Sequence, residues 1–153
     1  MTPTDIKFLV VHCSASKPDV YVDAAVIDRW HRNRGFAKIG YHYVIKRDGV
    51  VQKGRADTEA GAHVQGYNRM SLGICLAGGL DANGNPLANY SDEQYAALYT
   101  LLKDLKAKHP QAVVQGHRDF PNVAKACPCF DVKPWWAALA KDDSKNLNKT
   151  TNK

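Results

Sequence analysis

Phe8-Leu9-Val10-Val11-His12 is a short apolar run that ends on an imidazole. Unbroken hydrophobicity over so few residues predicts a buried strand, here over 6–13. Its last histidine then stands outside the carboxyl end of a strand, where open α/β sheets gather their ligands. Far downstream, Ala112 to Gln115 predicts a second short strand that delivers His117, in Gly116-His117-Arg118-Asp119, to the same edge. Ten residues beyond His117 comes Cys127, in Lys125-Ala126-Cys127-Pro128. Two imidazoles and a thiolate suit zinc, and three protein ligands leave a fourth position open for water. The ligands are scattered along the chain, so their spacing alone is weak evidence.

The intervening residues supply the frame. Asp23 can cap a helix over 23–34, with Val22, Val26, Ile27 and Trp30 at helical spacing and Gly35 past its end. Tyr41 to Arg47 predicts a strand, Asp48-Gly49 a tight hairpin turn, and Val50 to Lys53 the returning strand. Residues 71–78 predict another buried strand and 81–86 a loop. Ser91 and Gln94 form a capping box that opens a helix to about His109. Asp131 can cap a last short helix carrying Trp135, Trp136 and Leu139. The order β-α-β-β-β-α-β-α predicts an α/β fold: one mixed central sheet flanked by about three helices, with the metal site at strand C-terminal ends. Residues 1–140 form the expected domain. The polar run 141–153 predicts a disordered tail.

Composition bounds the function. The chain has 153 residues, 44% apolar and 24% charged, as in a globular domain. No apolar stretch reaches the roughly 20 residues that span a bilayer, so no membrane insertion is expected. The formal net charge is +6, of which four lysines and two aspartates in 141–153 supply +2. That field suits an anionic partner as well as simple solubility. No nucleic-acid-binding motif accompanies it, and direct nucleic-acid binding is not expected. Of the four cysteines, Cys75 sits in an apolar run and reads as core. Cys127 and Cys129 are too close in sequence to bridge without strain.

Five segments together resemble the zinc-dependent N-acetylmuramoyl-L-alanine amidases, in particular the short single-domain phage enzymes. They are His12-Cys13-Ser14-Ala15, the stretch Gly40 to Gly49, Gly66-Tyr67-Asn68, the run 72–76 with Gly78-Gly79, and Lys125 to Pro128. Peptidoglycan recognition proteins look like relatives with the same fold. The resemblance implies cleavage of the amide between N-acetylmuramic acid and L-alanine in bacterial peptidoglycan, as in a phage or prophage endolysin. It implies a Zn2+ site at His12, His117 and Cys127, with assisting roles for Tyr41 and Lys125. The segment between His117 and Cys127 is slightly longer than in the phage pattern.

Each residue also has a plainer reading. His12 and His117 read alone as a satisfied core histidine and a loop histidine. Tyr41 and Tyr43 share one strand face by alternation, and His42 packs on the other. His63 and Asn68 are candidates for the substrate groove, against an ordinary surface loop. His31 and His109 read as exposed helix residues. Cys129 is the sharper rival: a His₂Cys₂ shell would be closed and structural. Two further functions compete with hydrolysis: a non-catalytic peptidoglycan-binding module, and an added inhibitory contact with a phage RNA polymerase. Met1 to Lys7 has no charged start leading into an apolar stretch. A monomer made in the host cytoplasm without a signal peptide, reaching the periplasmic wall after release, is therefore expected.

Overall fold

A computed structural model describes the backbone of residues 1–151 and the side chains of 1–144. Strand β1 (Phe8–Cys13) lies inside a five-stranded sheet. It pairs in parallel with β4 (Ser71–Leu76) on one side and β5 (Val113–Gly116) on the other. Strand β2 (Tyr43–Ile45) pairs in parallel with β4, and β3 (Val51–Lys53) runs antiparallel to β2 at the edge. The spatial order is β3-β2-β4-β1-β5. A mostly parallel sheet needs cover on both faces, which explains why β1 and β4 read as continuous apolar runs.

Helices provide that cover. Helix α2 (Asp92–Lys108) and helix α3 (Val132–Thr151) follow β4 and β5 in the chain. Leu98, Leu102 and Leu105 of α2 pack with Leu9, Val11, Tyr43, Ile45 and Ile74 of the strands, and Trp135 and Trp136 of α3 close this layer. On the opposite face α1 (Ala24–Asn33) sets Ile27 against Val44 and Cys75. Asp23 caps α1 through Val26 N–H at 2.8 Å. Ser91 and Gln94 make the expected reciprocal cap of α2. The Gln94 amide also donates to Ile45 and Ala77 carbonyls at 3.1 and 2.9 Å. It thereby ties the helix start to the ends of two strands.

Four local expectations need correction. The strand expected over Tyr41 to Arg47 shortens to Tyr43–Ile45, because the chain bends at His42, which still donates its N–H to the Gly73 carbonyl at 2.9 Å. Tyr43 packs with the α2 layer while Tyr41 packs with the α1 layer, so the two do not share a face. His31 and His109 are buried. His31 Nδ1 accepts from Gly40 N–H at 2.9 Å, and His109 Nδ1 lies 2.9 Å from the Pro3 carbonyl, to which it donates. The last helix, expected to be short, is 20 residues long, Val132–Thr151. Asp143 anchors its second half to Lys103 at 2.6 Å and to the Tyr99 hydroxyl at 3.0 Å. Residues 152 and 153 lie outside the described ones.

Candidate metal centre

The sheet brings the scattered ligands together. His12 is the penultimate residue of β1, and His117 follows directly on β5. Val11 pairs with Gly116, so the two histidines leave the sheet side by side. Their rings lie 4.5 Å apart between centroids. The loop from Arg118 to Phe130 then folds back. Arg118 N–H donates to the Cys127 carbonyl at 3.0 Å, and Arg118 Nη2 pairs with Asp131 at 2.6 Å. Tyr90 holds the Pro128 carbonyl at 2.7 Å. Pro128 rests on Gly116, where a Cβ would approach its Cδ to 2.9 Å. The loop thus returns the Cys127 thiol to the two histidines.

One ligand atom each from His12, His117 and Cys127 falls within 4.8 Å of the others, a grouping that can hold a metal ion. The donor chemistry fits zinc. His12 Nε2 is 2.8 Å from His63 Nδ1, which leaves Nδ1 of His12 for an ion. Cys127 Sγ accepts Cys13 N–H at 3.1 Å. A hydrogen bond from Cys127 lowers the Cys13 thiol to about 6, and the same hydrogen bond, together with burial, pushes the Cys127 thiol well up. Burial drives His12 well below the usual histidine range, and the charges of His63, His117 and Lys125 add to the effect. Neutral imidazoles are the form a cation needs, and Cys127 would release its proton on binding one.

Tyr41 and Lys125 flank the cluster in different ways. The Tyr41 ring sits 5.0 Å from that of His12. Burial and the neighbouring Cys75, Cys127 and Cys13 push its phenol well up, so it stays a hydroxyl donor. Lys125 is exposed, and its charge is the second cause, after burial, that lowers His117.

His63 and Asn68, expected in the substrate groove, both make hydrogen bonds within the chain beside His12. His63 is only 9% exposed, and both of its ring nitrogens are engaged, by His12 and by Ser71 at 3.1 Å. Asn68 Oδ1 accepts the backbone N–H groups of His63 and Val64, both at 2.9 Å. Both residues therefore build the wall behind His12. Cys129, the rival ligand, sends its thiol to the Gly79 carbonyl at 3.5 Å and is not among the clustered ligands. Cys129→Ser should accordingly keep one metal per chain and wild-type turnover. Metal analysis showing a substoichiometric ion would assign Cys129 to the shell after all.

Two buried imidazoles make the fold acid-sensitive. Burial is the leading cause that lowers His42, and it lowers His63 to about 3. Folded values below the unfolded value of about 6.5 mean that their contribution is complete above that pH and is lost as pH falls. Each such imidazole removes up to about 1.4 kcal/mol per pH unit below about 6.5. Urea midpoints of EDTA-treated protein should therefore fall steadily from about pH 7 to about pH 5. A flat profile over that interval would contradict the burial of neutral imidazoles.

The sequence hid the support behind the ligands. Cys13 and Ser71 carried no signal of their function, and the 51-residue separation of His12 and His63 follows no motif.

Comparison with known proteins converges on one group. The Amidase_2 family, described as N-acetylmuramoyl-L-alanine amidase, matches residues 2–130. The endolysin of Klebsiella phage KP32 is 47% identical over 128 residues, covering 84% of this chain and 83% of that protein. The endolysin of Escherichia phage T7 is 44% identical over 128 residues, with the same coverage. Among solved structures, N-acetylmuramoyl-L-alanine amidase LysC from Clostridium intestinale URNW superposes with a TM-score of 0.72 at 25% identity. That likeness covers 92% of this chain and 87% of LysC.

Proposed function

This chain belongs to the N-acetylmuramoyl-L-alanine amidase family, and from that premise we propose that it works through a zinc ion held by His12, His117 and Cys127. It is an endolysin-type amidase that hydrolyses the amide bond joining muramic acid to the stem peptide of bacterial peptidoglycan. The observation that carries the zinc assignment is the convergence of three ligand atoms within 4.8 Å at the ends of two parallel strands.

When bound, zinc supplies Lewis acidity and lowers the pKa of a coordinated water. The remaining work falls to the chain. Tyr41 keeps its proton at Oη and donates a hydrogen bond to the reacting amide. Lys125 brings an ammonium to the oxyanion that develops as the carbonyl is attacked. One such donor typically contributes about 3–4 kcal/mol to the transition state. The buried side of the site, lined by His12, His63 and Tyr41, keeps solvent off the ligands.

Residues 1–140 are the proposed catalytic unit, in keeping with a family match that ends at residue 130. The protein acts on the cell wall. We take the route there to be release from the cytoplasm during lysis. Incubation with purified cell walls should liberate L-alanine amino termini and no new reducing sugar ends. Chelation should stop the reaction and added zinc restore it. New reducing ends would identify a glycosidase instead, and binding to walls without any product would identify a recognition module.

A further inference from the structure

We propose that His63 is a positioning residue that sets the tautomer of His12, as the middle member of a buried relay running from the Tyr67 carbonyl through Ser71 and His63 to His12. The metal-binding consequence rests on the assignment of His12 as a ligand; the tautomer itself does not.

Proton logic fixes the relay from its far end. A backbone carbonyl only accepts, so the Ser71 hydroxyl, 2.7 Å from the Tyr67 carbonyl, spends its proton there. Towards His63 Nε2, at 3.1 Å, Ser71 Oγ can then offer only a lone pair, so His63 carries its proton on Nε2. A neutral imidazole has one proton, and His63 Nδ1 is therefore bare. It accepts from His12 Nε2 at 2.8 Å. His12 in turn holds its proton on Nε2 and presents Nδ1 with a free lone pair, the form a cation requires. The reverse arrangement would protonate Nδ1 and close it to metal.

The surroundings enforce these states. His12, Ser71 and His63 are all buried, which favours uncharged rings. His63 has no room to turn. A Cβ on Gly73 would stand 2.8 Å from its Cγ and Nδ1, and one on Gly61 would stand 2.7 Å from its Cδ2. Asn68 clamps the backbone on which the ring is mounted. Behind it, His42 obeys the same rule: Nδ1 accepts Gly73 N–H at 3.0 Å, and Nε2 therefore donates to the Glu59 carbonyl at 2.7 Å. Its proton is already committed, so His42 does not compete for His63. Outer partners of this kind typically account for 10–100-fold in metal affinity.

The experiment has a direct arm and a variant arm. Long-range ¹H–¹⁵N correlation spectra of the full-length protein after chelation should show His12 and His63 both as Nε2–H tautomers. His12 found as the Nδ1–H tautomer would overturn the relay without any mutant being made. In the variant arm, His63→Asn sets an amide oxygen near the place of Nδ1, while His63→Leu fills the slot with no acceptor. Zinc affinity, read by competition with a chromophoric chelator, should stay within a few-fold of wild type in His63→Asn and fall about 10–100-fold in His63→Leu. Equal affinities in the two variants, or a tighter His63→Leu, would show a packing role and overturn the proposal. The spectra keep it testable if either variant fails to fold. Should the wild-type chain take up no zinc at all while its spectra show the stated tautomers, the relay stands and the metal assignment falls.

Discussion

Cys127→Ala should leave a folded protein that purifies without bound zinc and releases no detectable L-alanine termini from cell walls. Cys127 is half-buried at the margin of the main core, and Cys→Ala removes a single heavy atom there, so the change costs the fold little. The loss falls on the site. Of the clustered ligands it is the only anion, and two neutral imidazoles hold a divalent ion far less firmly than the set of three. A bound ion that stabilises the transition state by several kcal/mol makes its loss worth about 10³-fold or more in rate. His117→Ala should behave in the same way, since that ring is also half-exposed and hangs on a turn capped by Asp119 at 2.8 Å. Tyr41→Phe should differ: metal retained, rate reduced. Metal analysis alongside turnover separates the classes. Full zinc occupancy in Cys127→Ala would show that Cys13 or Cys129 supplies the sulfur.

The contrast between ligands and their support also marks what the chain discloses before folding. Strand-length apolar runs, two helix caps and an Asp-Gly turn are local signals, and each element they predict is present. The clustering of His12, His117 and Cys127 was legible because each sits at the end of a strand or beside a family motif. The placement of Tyr41 was not, since alternation holds only while the chain stays in the sheet, and β2 begins at Tyr43. Nor was the burial of His31 and His109, because a single carbonyl or amide brought by a distant turn turns an exposed-looking histidine into a satisfied interior one. His63 is the clearest case. Its function depends on bare space over Gly73 and Gly61, and space created by an absent side chain leaves no periodicity to read. Sequence patterns thus disclosed the proposed metal ligands more readily than the residues that would aim them.

Gly40→Ala should be the most damaging of the conservative changes, and it should injure fold and site together. A Cβ on Gly40 would lie 2.2 Å from the Ala62 carbonyl oxygen and 2.9 Å from its carbon. The obstacle is backbone, which cannot turn aside as a side chain does. It is also tied to the intruder, because Ala62 N–H donates to the Gly40 carbonyl at 3.0 Å. Relief must come from one of the two strands of chain. On one side, Asp28 holds Ile39 N–H at 2.8 Å and His31 holds Gly40 N–H at 2.9 Å, with Tyr41 next in line. On the other, Ala62 immediately precedes His63. Either movement displaces a residue that faces His12. Overpacking of this severity belongs at the upper end of the usual range, about 3 kcal/mol. For a chain of this size that corresponds to a fall in melting temperature of about 6–12 °C. Zinc affinity should drop as well, because the wall behind His12 shifts. Gly35→Ala is the control: its Cβ would meet nothing within 4 Å, but φ is +93°, so the change strains only a local turn. It should cost about 1–2 kcal/mol and leave zinc affinity untouched. If Gly40→Ala melts within about 2 °C of wild type and binds zinc equally well, the close approach of these two backbones is not what holds Tyr41 and His63 on either side of the ligand.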